Sequence, residues 1–201
     1  MANANIPKGL IPVQHRNGAP YNAPGRMYHV PASDGTALFI GDPVVVVTNA
    51  SDANGIPTVT RATAAGGNFF TGSVVGVNSG GEPVVTRTRD SAVYRLASTL
   101  AYVWVADDPD LLFEIQEDSV GGSMAVGASS RNVDLVAGTG NVNSGYSGFM
   151  ADSSTLAVTA TLQLRIIRPV ERADNAISAS DTLGKWLVAI NLHTQRQALG
   201  I

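Results

Sequence analysis

Three histidines, His15, His29 and His193, and one run of carboxylates, Asp107, Asp108, Asp110, Glu114, Glu117 and Asp118, are the side chains here that could carry acid–base or metal chemistry. A catalytic triad is assembled in space, so wide spacing alone does not exclude one. The strained serine elbow that nucleophilic hydrolases use is absent. Gly121-Gly122-Ser123-Met124-Ala125 carries Ala where the motif needs its last Gly. The carboxylate run departs from a calcium loop, because Leu112 falls where a ligand should follow Asp108 and Asp110. Asp52-Ala53-Asn54-Gly55 fails in the same way, with Ala50 in the first ligand place and Arg61 in the twelfth. No glycine string matches a phosphate cradle. With no cysteine, the chain has no disulfide, no cysteine–zinc site and no thiol nucleophile. The expectation is a protein that is not an enzyme, with no catalytic residue, no cofactor and no metal site. Its histidines then lie in surface or arm positions, and its acidic run is a solvated loop leading into the polar face of a strand.

The surface chemistry points elsewhere. Charged residues are 14% of the 201, against a usual value of about 25%, and the net charge is only −3. That balance argues against disorder and against phosphate-driven nucleic-acid binding, which needs a basic surplus. The longest apolar runs, such as Val44 to Val47, are far short of the roughly 18 residues a membrane span needs, so no membrane partner is expected. Basic residues are 11 Arg and only 2 Lys. Arg is enriched and Lys depleted where protein meets protein. The composition suits a chain that covers much of its surface with other protein.

Five of the ten prolines (Pro7, Pro12, Pro20, Pro24, Pro31) fall in the first 31 residues. Proline fixes its own φ and biases its predecessor to extended geometry, so the reading is an extended Pro-rich arm over residues 1–35 in which no helix or central strand persists. A single β domain follows over 36–201. The arm carries apolar side chains, and deleting residues 1–31 is expected to leave the β body folded. Beyond it, Thr155 to Arg168 puts Leu156, Val158, Ala160, Leu162, Leu164 and Ile166 on one parity and Thr155, Thr159, Thr161, Gln163 and Arg165 on the other, which predicts one long half-buried strand. Lys185 to His193 repeats the pattern. Leu100 to Val105 is apolar on both parities, which predicts a strand covered on both faces. With Leu111 to Gln116 it is expected to form a hairpin around the turn Asp107-Asp108-Pro109-Asp110. Shorter strands are predicted at Ala37 to Ile40, Val44 to Val47, Pro57 to Arg61, Gly72 to Val77, Pro83 to Thr88, Ala92 to Leu96 and Asn132 to Val136. A couple of helical turns are expected in each of Glu171 to Ser180 and Leu192 to Leu199. Roughly ten short strands predict an all-β antiparallel sandwich or barrel.

Several strings carry a likeness. They are Asn5-Ile-Pro-Lys-Gly-Leu-Ile-Pro-Val13, Arg16-Asn-Gly-Ala-Pro-Tyr21, Ala37-Leu-Phe-Ile-Gly-Asp-Pro-Val44, Asp107 to Asp118, Leu164 to Val170 and Gly184 to Asn191. Together they resemble the capsid cement or decoration proteins of tailed bacteriophages, over nearly the whole chain. The resemblance implies a jelly-roll-like or decoration-protein-like body and a place on the outer surface of the virion capsid. It implies two partners, the major capsid protein and further copies of the chain itself in a dimer or trimer. An arm docked on a neighbour would present Ile6, Leu10, Ile11 and Tyr21, with Arg16 and Arg26 pairing carboxylates at the rim. The other reading kept open is a carbohydrate-binding or tail-associated β-sandwich. It would need an exposed Trp104 or Trp186, and both lie in strongly apolar runs.

Overall fold

The computed structural model describes residues 3–22, 25–78, 93–178 and 182–197. Among them are eleven strands: β1 Ile11–His15, β2 Arg26–Val30, β3 Pro43–Ser51, β4 Pro57–Arg61, β5 Gly72–Asn78, β6 Ala101–Ala106, β7 Leu111–Gln116, β8 Asn132–Val136, β9 Met150–Ala157, β10 Leu164–Pro169 and β11 Lys185–Ile190. Two short 3-10 turns, Val126–Ala128 and Thr194–Arg196, are the helical elements among the described residues. The chain is all-β, as its spacing predicts. Five strands close a barrel in the order β2-β4-β3-β5-β6, and six form a sheet in the order β1-β7-β11-β10-β8-β9.

The cores explain the valine-rich runs. Alternate residues of a strand face opposite sides. In the barrel strands Val44, Val74, Val103 and Val105 fill the interior with Tyr28, Val30 and Leu38. Their neighbours Val45 and Val75 face the other way, onto a second core shared with Phe113, Ile115, Trp186 and Val188 of the sheet. Strands β3 and β5 therefore need apolar residues on both parities. The sheet packs its inner face on the outside of the barrel.

Four expectations need correction. The prolines do not keep residues 1–35 from forming a strand paired on both sides, as the reading of an extended adherent arm expected. Strand β2 lies in the proline-free stretch between Pro24 and Pro31 and pairs with β6 from Arg26↔Val105 to Val30↔Ala101, and with β4 at His29↔Thr58. Strand β1 tolerates Pro12 because it is a sheet edge, with an irregular register between Pro12 and Gln14. Leu10 and Val30 are fully buried in the two cores.

The expected β6–β7 hairpin is not formed. β6 lies between β2 and β5 in the barrel, and β7 between β1 and β11 in the sheet. The acidic turn hands the chain from one body to the other. Asp107 is buried and accepts a hydrogen bond from the Tyr28 hydroxyl at 2.7 Å, which holds the turn's start in the barrel.

The single strand expected over Thr155 to Arg168 is two strands, β9 and β10, which flank β8. No Gly, Pro or Asn marks the reversal, because distant side chains support it. Asn191 donates to the Ala160 and Leu162 carbonyls, and the Gln163 amide N–H donates to Asp134. Gln163 itself is fully buried and bonds the Thr63 and Asn68 carbonyls.

The fourth correction is smaller. Ala37 to Ile40 contributes only the isolated bridges Leu38↔Arg95 and Ile40↔Tyr146, and no helix forms in the described part of Glu171 to Ser180. Pro83 to Thr88 lies outside the described residues.

One close approach locks the first residues to the barrel. Gly41 has φ of +94°, and a Cβ there would lie 1.9 Å from the Lys8 carbonyl oxygen, while the Gly41 carbonyl accepts from the Leu10 N–H at 2.9 Å. Both the left-handed φ and the backbone contact exclude a side chain. Gly41→Ala is expected to destabilise the protein by about 3 kcal/mol, read as a lowered denaturation midpoint at unchanged slope.

Candidate interaction surface

The outer face of the six-stranded sheet, turned away from the barrel, collects the exposed chemistry. Period-two alternation puts Leu111, Phe113 and Ile115 of β7 and Trp186, Val188 and Ile190 of β11 inside. It leaves Leu112, Glu114, Lys185, Leu187 and Ala189 outside. On that face Leu112, Leu187 and Ala189 are themselves buried and form a small separate apolar cluster with half-buried Ile167. Ile167 reaches it because the β10–β11 register shifts between Ile166 and Arg168.

Two shallow grooves run over the face and share Glu114. One, of about 390 Å³, is lined by Ile6, Ile11, Gln116, Arg172 and Lys185 among others. The second, of about 210 Å³, is lined by Val13, Arg168 and Leu187. Ile6 and Val13 are exposed.

Charges frame the cluster. Arg172 donates to both carboxylate oxygens of Glu114 at 2.9 Å, a bidentate pair that pushes the guanidinium pKa up further. Asp174 bridges Arg172 and Lys185, and the Lys185 hydrogen bond at 3.0 Å holds its carboxyl below the usual range. Arg168 pairs with Glu171 at 2.9 Å. At the far end Arg16 and Arg196 share Asp110, and His15 meets Asp108 at 3.2 Å. These ion pairs lie over the buried cluster, so the surface here is polar and Arg-rich, with Ile6 and Val13 as exposed apolar residues at its margin.

The residues proposed from sequence divide over this geometry. Ile6 and Ile11 line the larger groove, and Arg16 stands at the opposite end of the face. Leu10 points into the core and offers nothing to a partner. Tyr21 packs half-buried against the same core. Arg26 lies on the barrel, 3.4 Å from Asp107. Sequence reasoning missed Arg165, Arg168 and Arg172. The available signal was the polar-parity Glu114, with Lys185 opening the Lys185 to His193 alternation. Which of two faces stays open depends on the barrel packed beneath.

Of the side chains that invited a catalytic reading, His15 meets Asp108, and the three histidines hold separate partners. His15, His29 and His193 are bonded separately to Asp108, Thr58 and the Gln195 amide. Glu117 is buried and accepts from the Met124 and Gly184 amides, the Ser119 hydroxyl and the Trp186 indole. Asp118 supports the Val120 and Ser153 amides. Among the described residues no three His, Cys, Asp or Glu are grouped to hold a metal ion, and no helix is long and apolar enough to cross a membrane. Trp186 is fully buried, and Trp104 is half-buried against Gly76.

Burial gives these groups a pH signature. Desolvation first, then the Arg196 charge, lowers the His193 pKa below 6.5. A lowered folded-state pKa gives stability that is present above about pH 6.5 and is lost as pH falls through the folded value. Desolvation raises Glu117, Asp42 and Asp134, and the sign reverses. They favour the fold most below their unfolded values near 4, and that contribution fades as pH rises. The melting temperature is therefore expected to fall between pH 7.5 and 5.5. His193→Gln should flatten that slope, and an unchanged slope in a thermal-shift series would remove His193 as its cause. Desolvation also raises Tyr28 and Tyr21, with the Asp107 hydrogen bond adding at Tyr28. Their contribution holds below about pH 10 and is lost above it.

No family model matches the chain, and neither a curated protein nor a solved structure matches it significantly.

Proposed function

We propose that this chain is a non-enzymatic structural protein of a tailed-phage virion. It sits on the outer surface of the capsid, where it binds the major capsid protein and cements the lattice, as a homo-oligomer and with no nucleic acid or membrane as partner. The observation that carries the reading is the outer face of the six-stranded sheet, an Arg-rich polar surface with exposed Ile6 and Val13 at its margin, on a double β body. The likeness of the strings from Asn5 to Val13 and from Gly184 to Asn191 to cement proteins supports it. So does the use of the buried ionisable groups Glu117, Asp42 and Arg95 in internal hydrogen bonds.

A cement works by repetition. Each contact is weak, but a symmetric oligomer that bridges two lattice subunits converts the second contact into an intramolecular one, and the gain recurs at every equivalent seam. Expanded shells lacking a decoration protein should pull the purified chain into the pellet on co-sedimentation, saturating at a fixed ratio to capsid subunits. Absence from the pellet with expanded and unexpanded shells alike would overturn the proposal.

A further inference from the structure

Away from that face, a groove of about 500 Å³ opens where the barrel meets the sheet, between the end of β4 and the end of β8. Its walls are strand edges. The Leu135 N–H points away from β9, to the Gln163 side-chain oxygen at 3.3 Å. Ala151, opposite Leu135 on β9, likewise turns its carbonyl outward, to the Asp118 N–H. Because β10 pairs with β8 only at Asn132 and Val133, the backbone of Leu135 and, by alternation, of Ala137 faces the groove with no strand beside it. On the other wall Ala62 gives its N–H to the Pro43 carbonyl of β3, which turns the backbone of Arg61 and Thr63 to the groove. At one end an amide from the chain itself closes the gap. The Gln163 carboxamide accepts from the Leu135 and Ala65 N–H groups and donates to the Thr63 carbonyl.

The floor is apolar, with Ala62, Leu135 and Phe149 buried beneath the opening. Among the described residues that line it, Arg61 alone is charged. Arg61 is exposed, its guanidinium 5.9 Å from the centre of the Phe149 ring, and it makes no ion pair among the described residues. The nearby acids are engaged elsewhere. Asp34 pairs with Arg95 and accepts from Thr60. Asp42 is buried and accepts the Phe39 N–H; desolvation raises its pKa, and the Arg61 charge is the smallest of the pulls that oppose the rise.

We propose that this groove takes an extended, carboxylate-bearing segment of the shell protein, laid as an added strand between β4 and β8 with its carboxylate on Arg61. This rests on the capsid reading for the identity of the partner. Its chemistry rests on the two open strand edges and on charge complementarity to Arg61. Main-chain hydrogen bonds give an added strand its affinity, and contacts to alternate side chains give it specificity. A guanidinium held over an aromatic ring presents its planar fork to a carboxylate. One wall belongs to the barrel and the other to the sheet, so the bound segment ties the two bodies together.

The test compares the wild-type chain with Arg61→Glu, Arg61→Lys and Ala137→Pro, the last removing an N–H that an added strand would bond. Each is first checked for an unchanged melting temperature, and hydrogen exchange at the Ala137 amide, free against shell-bound, replaces the proline variant if it melts early. Binding is measured to expanded shells by co-sedimentation. In parallel, amide NMR shifts follow the addition of an acetylated, amidated Val-Thr-Glu-Thr-Val peptide or its counterpart with Lys for Glu. Arg61→Glu and Ala137→Pro are each expected to weaken shell binding about tenfold or more, and Arg61→Lys by less. The glutamate peptide is expected to shift the Thr63 and Ala137 amides of the wild type, and the lysine peptide to leave them in place. Shell binding equal to wild type in both Arg61→Glu and Ala137→Pro overturns the groove and leaves the capsid reading standing. Shifts with the glutamate peptide alone, and no wild-type binding to shells, support the groove's chemistry and overturn the capsid reading. Equal shifts with both peptides overturn the proposal, as do shifts at Ala137 on raising the protein concentration alone, which make a second copy the occupant. Binding to neither shells nor peptides overturns both readings.

Discussion

Deleting residues 1–31, which the proline pattern alone suggested would leave the β body folded, is instead expected to abolish cooperative unfolding, giving a chain that aggregates or shows only a broad, non-cooperative transition. The deletion removes β2, which closes the barrel between β4 and β6, and β1, which covers the edge of β7. It takes Leu10, Tyr28 and Val30 out of the two cores, each worth about 2 kcal/mol of burial. It also takes away the Tyr28 hydroxyl that bonds buried Asp107, and the Leu10 carbonyl that the Ser73 hydroxyl bonds at 2.6 Å. Opening the barrel then exposes Val103 and Val105 to water on the β2 side. These losses together exceed the margin of about 5–15 kcal/mol by which domains are stable. A truncated protein that unfolds in one sharp transition near the wild-type midpoint would contradict the assignment of residues 3–31 to the fold.

Arg95→Met is expected to cost about 4 kcal/mol, a fall of roughly 10 °C in melting temperature for a chain of this size. Arg95 is 0% exposed. Its guanidinium donates to the carbonyls of Thr36, Pro31, Asp34 and Thr99, with the Asp34 carboxylate 3.8 Å away. One side chain thus ties residues 31–36, which leave β2, to residues 95–99, which enter β6. Desolvation lowers its pKa and Asp34 pulls it back up. Methionine fills similar volume but leaves four carbonyls without their donor, each a cost of about 1–3 kcal/mol if it stays dry. Lysine has three donors and no planar fork, so Arg95→Lys should recover less than half of the loss. A methionine variant within 1 kcal/mol of wild type in chemical denaturation would mean that water replaces the guanidinium.

What the sequence made legible was local, and what it hid was pairing. Pro57–Arg61 and Asn132–Val136 are strands over the same residues as expected, because β-branched runs bounded by turn residues leave the backbone few alternatives. Alternation assigned Trp186, Val188 and Ile190 to a buried face correctly. It could not say which strand lies next to which, so the turn at Asp107 read as a hairpin when it is a crossing between two bodies. The reversal between β9 and β10 was invisible for a related reason: its support comes from Asp134 and Asn191, which only the fold brings near. Proline counting misjudged β2, since the spaces between prolines decide where a strand fits. Of the candidate surface, Ile6, Ile11 and Arg16 were legible as an adherent segment. Arg165 and Arg172 were not, because a polar-parity residue stands on an open face only when the opposite face is packed.

The claim that this chain clamps a capsid is tested most directly by the disruption temperature of expanded, undecorated shells as purified protein is titrated in. The expected result is a rise that saturates at a fixed ratio of protein to capsid subunits and that high salt diminishes. A disruption temperature that stays constant at saturating protein would contradict it.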